Sequence, residues 1–149
     1  MGFSSRCQGA ALLYGCYDTD FETDSYRAFG GVEYLLSKPE MIWFWNHYLK
    51  SEADRQNPLA APLHANLTGL PPLLVIAAEF DPLFEDSERL VDKLQSVHAR
   101  YEYVVWPGVT HACIHMTRML DPAEGFLRQV GHWLGQSAHS NGYIRNVGA

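Results

Sequence analysis

Two apolar stretches, each followed by a chemically active side chain, constrain this sequence most. Residues 73–78 are an uninterrupted apolar run, and residues 101–106 are rich in aromatic and β-branched side chains. Both predict buried strands, and the amphipathic stretch 85–99 between them predicts a connecting helix. Asp81 follows the first strand and His111 follows the second. Because the carboxyl ends of parallel strands meet at one edge of a sheet, we expect these two side chains to lie close together.

Asp81 and His111 are therefore the candidate catalytic residues. A buried carboxylate that accepts the ring N–H of a histidine fixes its tautomer and stabilises the imidazolium form. An imidazole titrates near neutral pH, which suits a general base. Each residue alone also has an ordinary structural explanation, since an Asp after a strand often caps the next helix and a single histidine is at least as often structural. Their placement at successive strand ends favours the catalytic interpretation.

The rest of the chain continues an alternation of strands and helices. Ser37, Pro39 and Glu40 form a helix start, with Ser37 as the N-cap. The other predicted elements are a strand at Ala10–Tyr17, a short helix near Tyr26–Leu36, a helix continuing from Ser37 through Leu49, and a last helix at Ala123–Leu134. The alternation predicts an α/β class with about three parallel strands and flanking helices. We divide the chain into an N-terminal segment (1–9), a domain (10–134) and a flexible C-terminal tail (135–149).

Composition narrows the range of partners and compartments. A chain of 149 residues with 47% hydrophobic residues can form one domain with a substantial core. The net charge of −6 argues against nucleic acid and anionic membranes as partners. Three scattered cysteines suit a reducing compartment. Because the sequence shows no signal-peptide pattern and no apolar run long enough to span a membrane, we expect a soluble cytoplasmic protein.

Five short motifs follow one another along the chain: Leu-Tyr-Gly-Cys-Tyr-Asp (13–18), Asn-Pro-Leu-Ala-Ala-Pro-Leu (57–63), Leu-Pro-Pro-Leu-Leu-Val-Ile (70–76), Glu-Phe-Asp-Pro-Leu (79–83) and Pro-Gly-Val-Thr-His (107–111). In this combination and order they resemble the hormone-sensitive-lipase-like carboxylesterases of the α/β-hydrolase fold. This resemblance implies that Asp81 is the acid and His111 the base of a Ser-His-Asp triad, acting on a short-chain acyl ester without a cofactor. Ala112-Cys113 departs from the Gly-Phe that such enzymes usually carry after the histidine.

The resemblance covers the C-terminal half of such an enzyme. Neither a Gly-x-Ser-x-Gly elbow nor a His-Gly-Gly oxyanion loop occurs in the sequence. The nearest string is Gly2-Phe3-Ser4-Ser5-Arg6, and we reject Ser4 because no strand precedes it. We therefore expect little activity from the chain alone, and association with a second copy or a complementary hydrolase half through the exposed edge of the first strand. The alternative is a non-catalytic module that oligomerises or binds a partner.

Other interpretations of the same region are weaker. His111 and His115 have the spacing of a helical zinc pair, but the Glu of that motif is replaced by Ala112 and no third ligand is evident. Pro107-Gly108 also predicts a loop rather than a helix in this region, so we expect no metal. Cys113 is more typical of a buried apolar thiol than of a nucleophile. The aromatic helix around Trp43–Tyr48 fits a core or interface role better than an acyl pocket, although the resemblance places it near such a pocket.

Overall fold

Three parallel strands form one sheet in a computed structural model that describes residues 7–139. The strands are β1 (Ala10–Leu13), β2 (Leu73–Phe80) and β3 (Tyr101–Thr110), and their spatial order is β1-β2-β3. Leu73 is paired with Ala10 on one side and with Tyr101 on the other, so β2 is the central strand. The predicted class, a parallel three-stranded sheet with flanking helices, is confirmed.

The uninterrupted apolar run in β2 exists because both faces of this strand are covered. Side chains alternate across a strand, and Leu74, Ile76 and Ala78 lie in one core cluster while Leu73 and Val75 lie in another. Residues 73–78 are all buried. A strand with two buried faces has no polar side to alternate with, which is why its sequence gives such a strong signal.

Helices cover both faces of the sheet. The α-helices are α1 (Asp24–Phe29), α2 (Lys38–Tyr48), α3 (Phe84–Ser96) and α4 (Asp121–His139), with 3-10 segments at Val32–Tyr34, Glu52–Gln56, Pro62–His64 and Cys113–Met116. α3 packs Leu90 and Leu94 onto the face that carries Val75. α4 packs Trp133 onto the opposite face, beside Ile76. The third cluster joins Tyr26 of α1 to Met41 and Trp45 of α2.

The start of α2 is the one predicted from its capping residues. The Ser37 hydroxyl accepts a hydrogen bond from the Glu40 backbone N–H, and the Glu40 carboxylate accepts the Ser37 N–H at 2.9 Å. This reciprocal arrangement satisfies two backbone donors at the end of the helix that would otherwise lack partners. The local sequence therefore determines where α2 begins.

Two predicted elements are shorter than expected. β1 ends at Leu13 rather than Tyr17, because Tyr14 has φ +36° and turns the chain out of the strand direction. The helix predicted near Tyr26–Leu36 is α1 followed by a separate 3-10 turn. The Gly30 N–H closes the last turn of α1 on the Tyr26 carbonyl, and Gly31 then has an extended backbone.

Two other elements are longer than expected. β3 continues to Thr110 through residues predicted to form a loop, and α4 continues past Leu134 to His139. The predicted tail boundary at 135 thus falls within α4. Residues 140–149 of that tail, and Ser4 with the rest of residues 1–6, lie outside the described part of the chain. No helix within residues 7–139 combines the length and apolar character needed to cross a membrane.

Candidate active site

The two residues singled out from the sequence, Asp81 and His111, form a direct hydrogen bond. His111 Nδ1 lies 2.9 Å from Asp81 Oδ2. The Asp81 side chain is almost completely buried, whereas about a quarter of the His111 side chain is exposed. The pair therefore has a buried carboxylate end and an imidazole end that solvent or a ligand can reach.

Asp81 is positioned by the turn that joins β2 to α3. Its second carboxylate oxygen, Oδ1, accepts the Leu83 backbone N–H at 2.9 Å, and its own carbonyl accepts the Phe84 N–H at 3.0 Å. The turn and the histidine thus use different oxygens of one carboxylate. Asp81 both organises the start of α3 and binds His111, so its two interpretations from the sequence are compatible.

An irregularity in β3 places His111 beside Asp81. Ala78 is paired with Trp106 and Phe80 with Thr110. Between these two pairs β2 has one residue and β3 has three. Gly108 lies in this bulge with φ +71°, and its N–H donates to Glu79 Oε2 at 2.7 Å. A positive φ is readily available to glycine. The segment Pro107-Gly108, predicted to be a loop, is therefore a bulge within β3. This bulge is hydrogen-bonded to the Glu79 side chain.

A residue that sequence reasoning missed, Tyr14, contacts the other side of His111. The two ring centroids are 4.7 Å apart with an interplanar angle of 62°. Tyr14 directly follows β1, and its backbone N–H donates to the Ile76 carbonyl at 2.6 Å. Burial raises the pKa of the Tyr14 phenol to about 12, with smaller contributions from Cys113 and Asp81. The signal in the sequence that could have identified it is the Tyr14-Gly15 pair at the end of an apolar run. A side chain does not fit at Gly15, because a Cβ there would lie 2.4 Å from the Tyr17 hydroxyl.

This geometry leaves Nε2 of His111 able to take up a proton. A carboxylate oxygen can only accept, so Nδ1 carries the hydrogen and Nε2 has a free lone pair. Within residues 7–139, the Asp81 contact is the only hydrogen bond of the His111 side chain. A proton taken up at Nε2 would create an imidazolium next to the buried carboxylate, which stabilises it.

Two neighbours of His111, Cys113 and His115, are poorly placed for thiol or metal chemistry. Cys113 is fully buried in the core cluster around Trp106, and burial raises the pKa of its thiol, which disfavours the nucleophilic thiolate. His115 is exposed, in the 3-10 turn. In the described part of the chain, no group of three His, Cys, Asp or Glu side chains is placed to hold a metal ion.

A cavity of about 460 Å³ lies against α2. Its lining is predominantly apolar and consists of Cys16, Met41, Phe44, Trp45, Tyr48 and Ala60. Met41 and Trp45 belong to the core cluster that also contains Leu83, two residues from Asp81. Trp43, Phe44 and Tyr48 are at least half exposed. α2 thus contributes one face to the core and presents aromatic side chains at the surface.

A family model, related sequences and solved structures all match this chain and agree with one another. Residues 3–115 match the family model of the alpha/beta hydrolase fold. The acetyl esterase of Salmonella paratyphi B is 36% identical over 118 residues, which cover 78% of this chain and 36% of that protein. An esterase of Pyrobaculum calidifontis superposes with a TM-score of 0.84 at 30% identity, covering 89% of this chain and 44% of the other.

A thermostable esterase from Pseudomonas putida superposes with a TM-score of 0.80 at 32% identity, covering 85% of this chain and 41% of the other. The chain thus spans less than half the length of these relatives. The sequence match, the superposition and the parallel sheet with covered faces agree with one another. The chain therefore belongs to the α/β-hydrolase fold family.

Proposed function

We propose that this chain provides the acid and the base of a carboxylic ester hydrolase of the hormone-sensitive-lipase-like branch. The observation that carries the proposal is the 2.9 Å contact between His111 Nδ1 and the buried Asp81 carboxylate, at the edge of the sheet where the strands end. Nε2 is left as the proton acceptor. The esterase relatives support this assignment, since the sequence similarity extends through both residues.

In the proposed reaction, His111 Nε2 takes the proton of a serine hydroxyl as that oxygen attacks the ester carbonyl. Asp81 stabilises the resulting imidazolium, which then gives its proton to the departing alcohol. Water repeats the sequence on the acyl-enzyme and releases the acid. The sequence contains no Gly-x-Ser-x-Gly elbow. We therefore propose that the serine and the oxyanion hole come from another polypeptide segment, and that the chain alone has little activity.

The proposed substrate is a short-chain acyl ester. One relative is named an acetyl esterase, which indicates a small acyl group for that protein. In this chain, the 460 Å³ cavity is lined mainly by apolar side chains of α2, and this suits an uncharged acyl or alcohol group. No cofactor takes part in the proposed reaction. The three cysteines are free thiols, which supports the proposed cytoplasmic location.

The proposed partner is a second copy of the chain or a complementary hydrolase half. Within residues 7–139, β1 is paired with a strand on one side only, so it is an edge strand. All four residues of β1 are partly exposed although all are apolar. An apolar edge with unpaired backbone groups is a typical site of strand addition.

Hydrolysis of p-nitrophenyl acetate and butyrate tests the function. We compare the chain alone with the chain mixed with a polypeptide that supplies a Gly-x-Ser-x-Gly elbow, and we label with a fluorophosphonate probe. Turnover is expected in the mixture only, with the elbow serine labelled. His111→Ala should abolish it, whereas His115→Ala, an exposed histidine four residues away, should not. Turnover that survives His111→Ala would contradict the proposal.

A second candidate is a non-catalytic module that associates with itself. The edge position of β1, together with the lack of an elbow motif, favours this alternative. Light scattering at micromolar concentration distinguishes the states. A stable oligomer without fluorophosphonate labelling, and without turnover in any mixture, would support the non-catalytic module. A monodisperse monomer would argue against self-association.

A further inference from the structure

We propose that Tyr14 is a positioning residue that holds the His111 imidazole in the orientation required of a general base. This inference deepens the proposed function and rests on it, since it concerns the same His111. Tyr14 makes no hydrogen bond to His111 and takes no part in proton transfer. Its contribution is the contact between the two rings, whose centroids are 4.7 Å apart.

A single hydrogen bond leaves part of the imidazole orientation undetermined. The bond to Asp81 fixes the position of Nδ1, but the ring can still tilt about the Nδ1–Oδ2 line, which moves Nε2 away from a substrate. The edge-to-face contact with Tyr14 restricts that tilt, because any large rotation would bring the two rings into collision. Two contacts of different kinds thus define the ring plane.

Tyr14 is itself held firmly, which a positioning residue requires. Its φ of +36° lies in a region that aromatic residues seldom adopt, and its N–H bonds to the Ile76 carbonyl of the central strand. Its ring also packs edge-to-face against Trp106, with the ring centroids 6.3 Å apart. Trp106 stacks on Phe126 of α4, with the centroids 4.2 Å apart. Trp106 in turn donates its indole N–H to Gln129.

The ring also limits the access of water to the hydrogen bond between Asp81 and His111. Tyr14 is only 8% exposed and lies in the core cluster with Trp106 and Cys113, so it closes the apolar side of the histidine. The hydrogen that His111 donates to Asp81 should therefore exchange slowly with solvent. Removal of the aromatic ring should both free the imidazole and admit water, while removal of the phenol hydroxyl alone should do neither.

Proton NMR of the intact chain tests the proposal without any need for turnover. The His111 Nδ1–H resonance, assigned by its loss in His111→Gln, should be visible in the unaltered protein and in Tyr14→Phe, and lost in Tyr14→Leu. Phe21→Leu is the matched control, because it removes a partly buried aromatic ring from the separate cluster around α1 and α2 and contacts neither Tyr14 nor Trp106. The His111 Nδ1–H resonance should persist in this variant.

The proposal is overturned if the resonance survives in a natively folded Tyr14→Leu, if Phe21→Leu also loses it, or if the unaltered protein never shows it. Should Tyr14→Leu fail to fold by circular dichroism, the nuclear Overhauser effect between the Tyr14 and His111 ring protons in the unaltered protein decides, and its absence refutes the contact. Loss of the resonance in Tyr14→Leu alongside ester turnover unaffected by His111→Ala would refute the proposed function and leave the Tyr14 contact established.

Discussion

The Asp86 carboxylate accepts the Tyr17 backbone N–H at 2.6 Å, and this bond ties the segment after β1 to α3. The same oxygen accepts the Asp18 N–H at 3.1 Å. Asp18 is also buried, and its carboxylate contacts Arg89 Nη2 at 2.6 Å and His64 Nε2 at 3.1 Å. Two carboxylates, one arginine and one histidine thus fix the chain three residues after Tyr14. This buried polar cluster therefore anchors to α3 the segment that begins with Tyr14.

Asp86 should make the stability of the protein depend on pH. Desolvation is the largest effect and raises its pKa from 3.8 to about 6, aided by the charge of Asp18 and opposed by the two N–H groups and Arg89. The folded state therefore holds a proton that the unfolded state releases between about pH 4 and pH 6. Stability should fall as pH rises through this window, by up to about 3 kcal/mol from this group.

Urea unfolding of Asp86→Asn at pH 4.5, 6 and 7.5 measures this contribution. Asparagine cannot ionise, so the variant should lack this component of the pH dependence, and its stability relative to the unaltered protein should improve as pH rises. Asp92→Asn is the matched control, since Asp92 is exposed on the same helix. Equal pH profiles for the unaltered protein and Asp86→Asn would contradict the assignment.

The elements that the sequence predicted well are those whose signals are local. β2 has no polar face, so its apolar run is unmistakable, and the start of α2 is determined by Ser37 and Glu40 within one turn of chain. The proximity of Asp81 and His111 followed from the rule that parallel strands end at one edge. Each of these inferences needed only neighbouring residues and one general property of sheets.

The features that were missed depend on contacts between distant residues. The β3 bulge is accompanied by a hydrogen bond from the Gly108 N–H to the Glu79 carboxylate, and Pro107-Gly108 by itself predicts only a loop. The contact between Tyr14 and His111 exists because β1 and β3 flank the same central strand. Asp86 resembles any acid in the first turn of a helix until the burial of the segment after β1 is known. No local pattern distinguishes these cases.

Replacement of Asp81 should separate its two structural roles. In Asp81→Asn, the amide oxygen can still accept the Leu83 N–H, so the turn before α3 should survive. The amide NH₂ would then face His111 Nδ1 and donate to it, which moves the imidazole hydrogen to Nε2. A histidine with this tautomer cannot take a proton at Nε2. Nitrogen-15 NMR should show the His111 proton on Nδ1 in the unaltered protein and on Nε2 in Asp81→Asn.

Asp81→Ala serves as the comparison because it removes both acceptors. The Leu83 N–H and the His111 ring N–H would lose their partners, and an unsatisfied buried donor such as the Leu83 N–H costs about 1–3 kcal/mol. The free energy of unfolding should therefore fall by more in Asp81→Ala than in Asp81→Asn. Equal losses in the two variants would show that the carboxylate contributes to folding by its charge rather than by its hydrogen bonds.

Two glycines should respond to alanine with opposite signs. Gly108 has φ +71° and open space where a Cβ would be, so Gly108→Ala meets no steric contact but forces a left-handed backbone on alanine. This should destabilise the protein by about 1–2 kcal/mol. Gly125 lies inside α4, also with open space around it. There alanine restricts the unfolded chain and favours the helix, so Gly125→Ala should stabilise by about 0.5–1 kcal/mol.

Urea unfolding of both variants at one pH tests these two predictions. Each variant is the control for the other, because each change adds the same methyl group. Gly108→Ala should in addition disturb the β3 bulge, since the Gly108 N–H bond to Glu79 requires the present backbone. The His111 Nδ1–H resonance should then broaden in Gly108→Ala and remain sharp in Gly125→Ala. A stable Gly108→Ala with an unchanged resonance would show that the bulge does not determine where His111 lies.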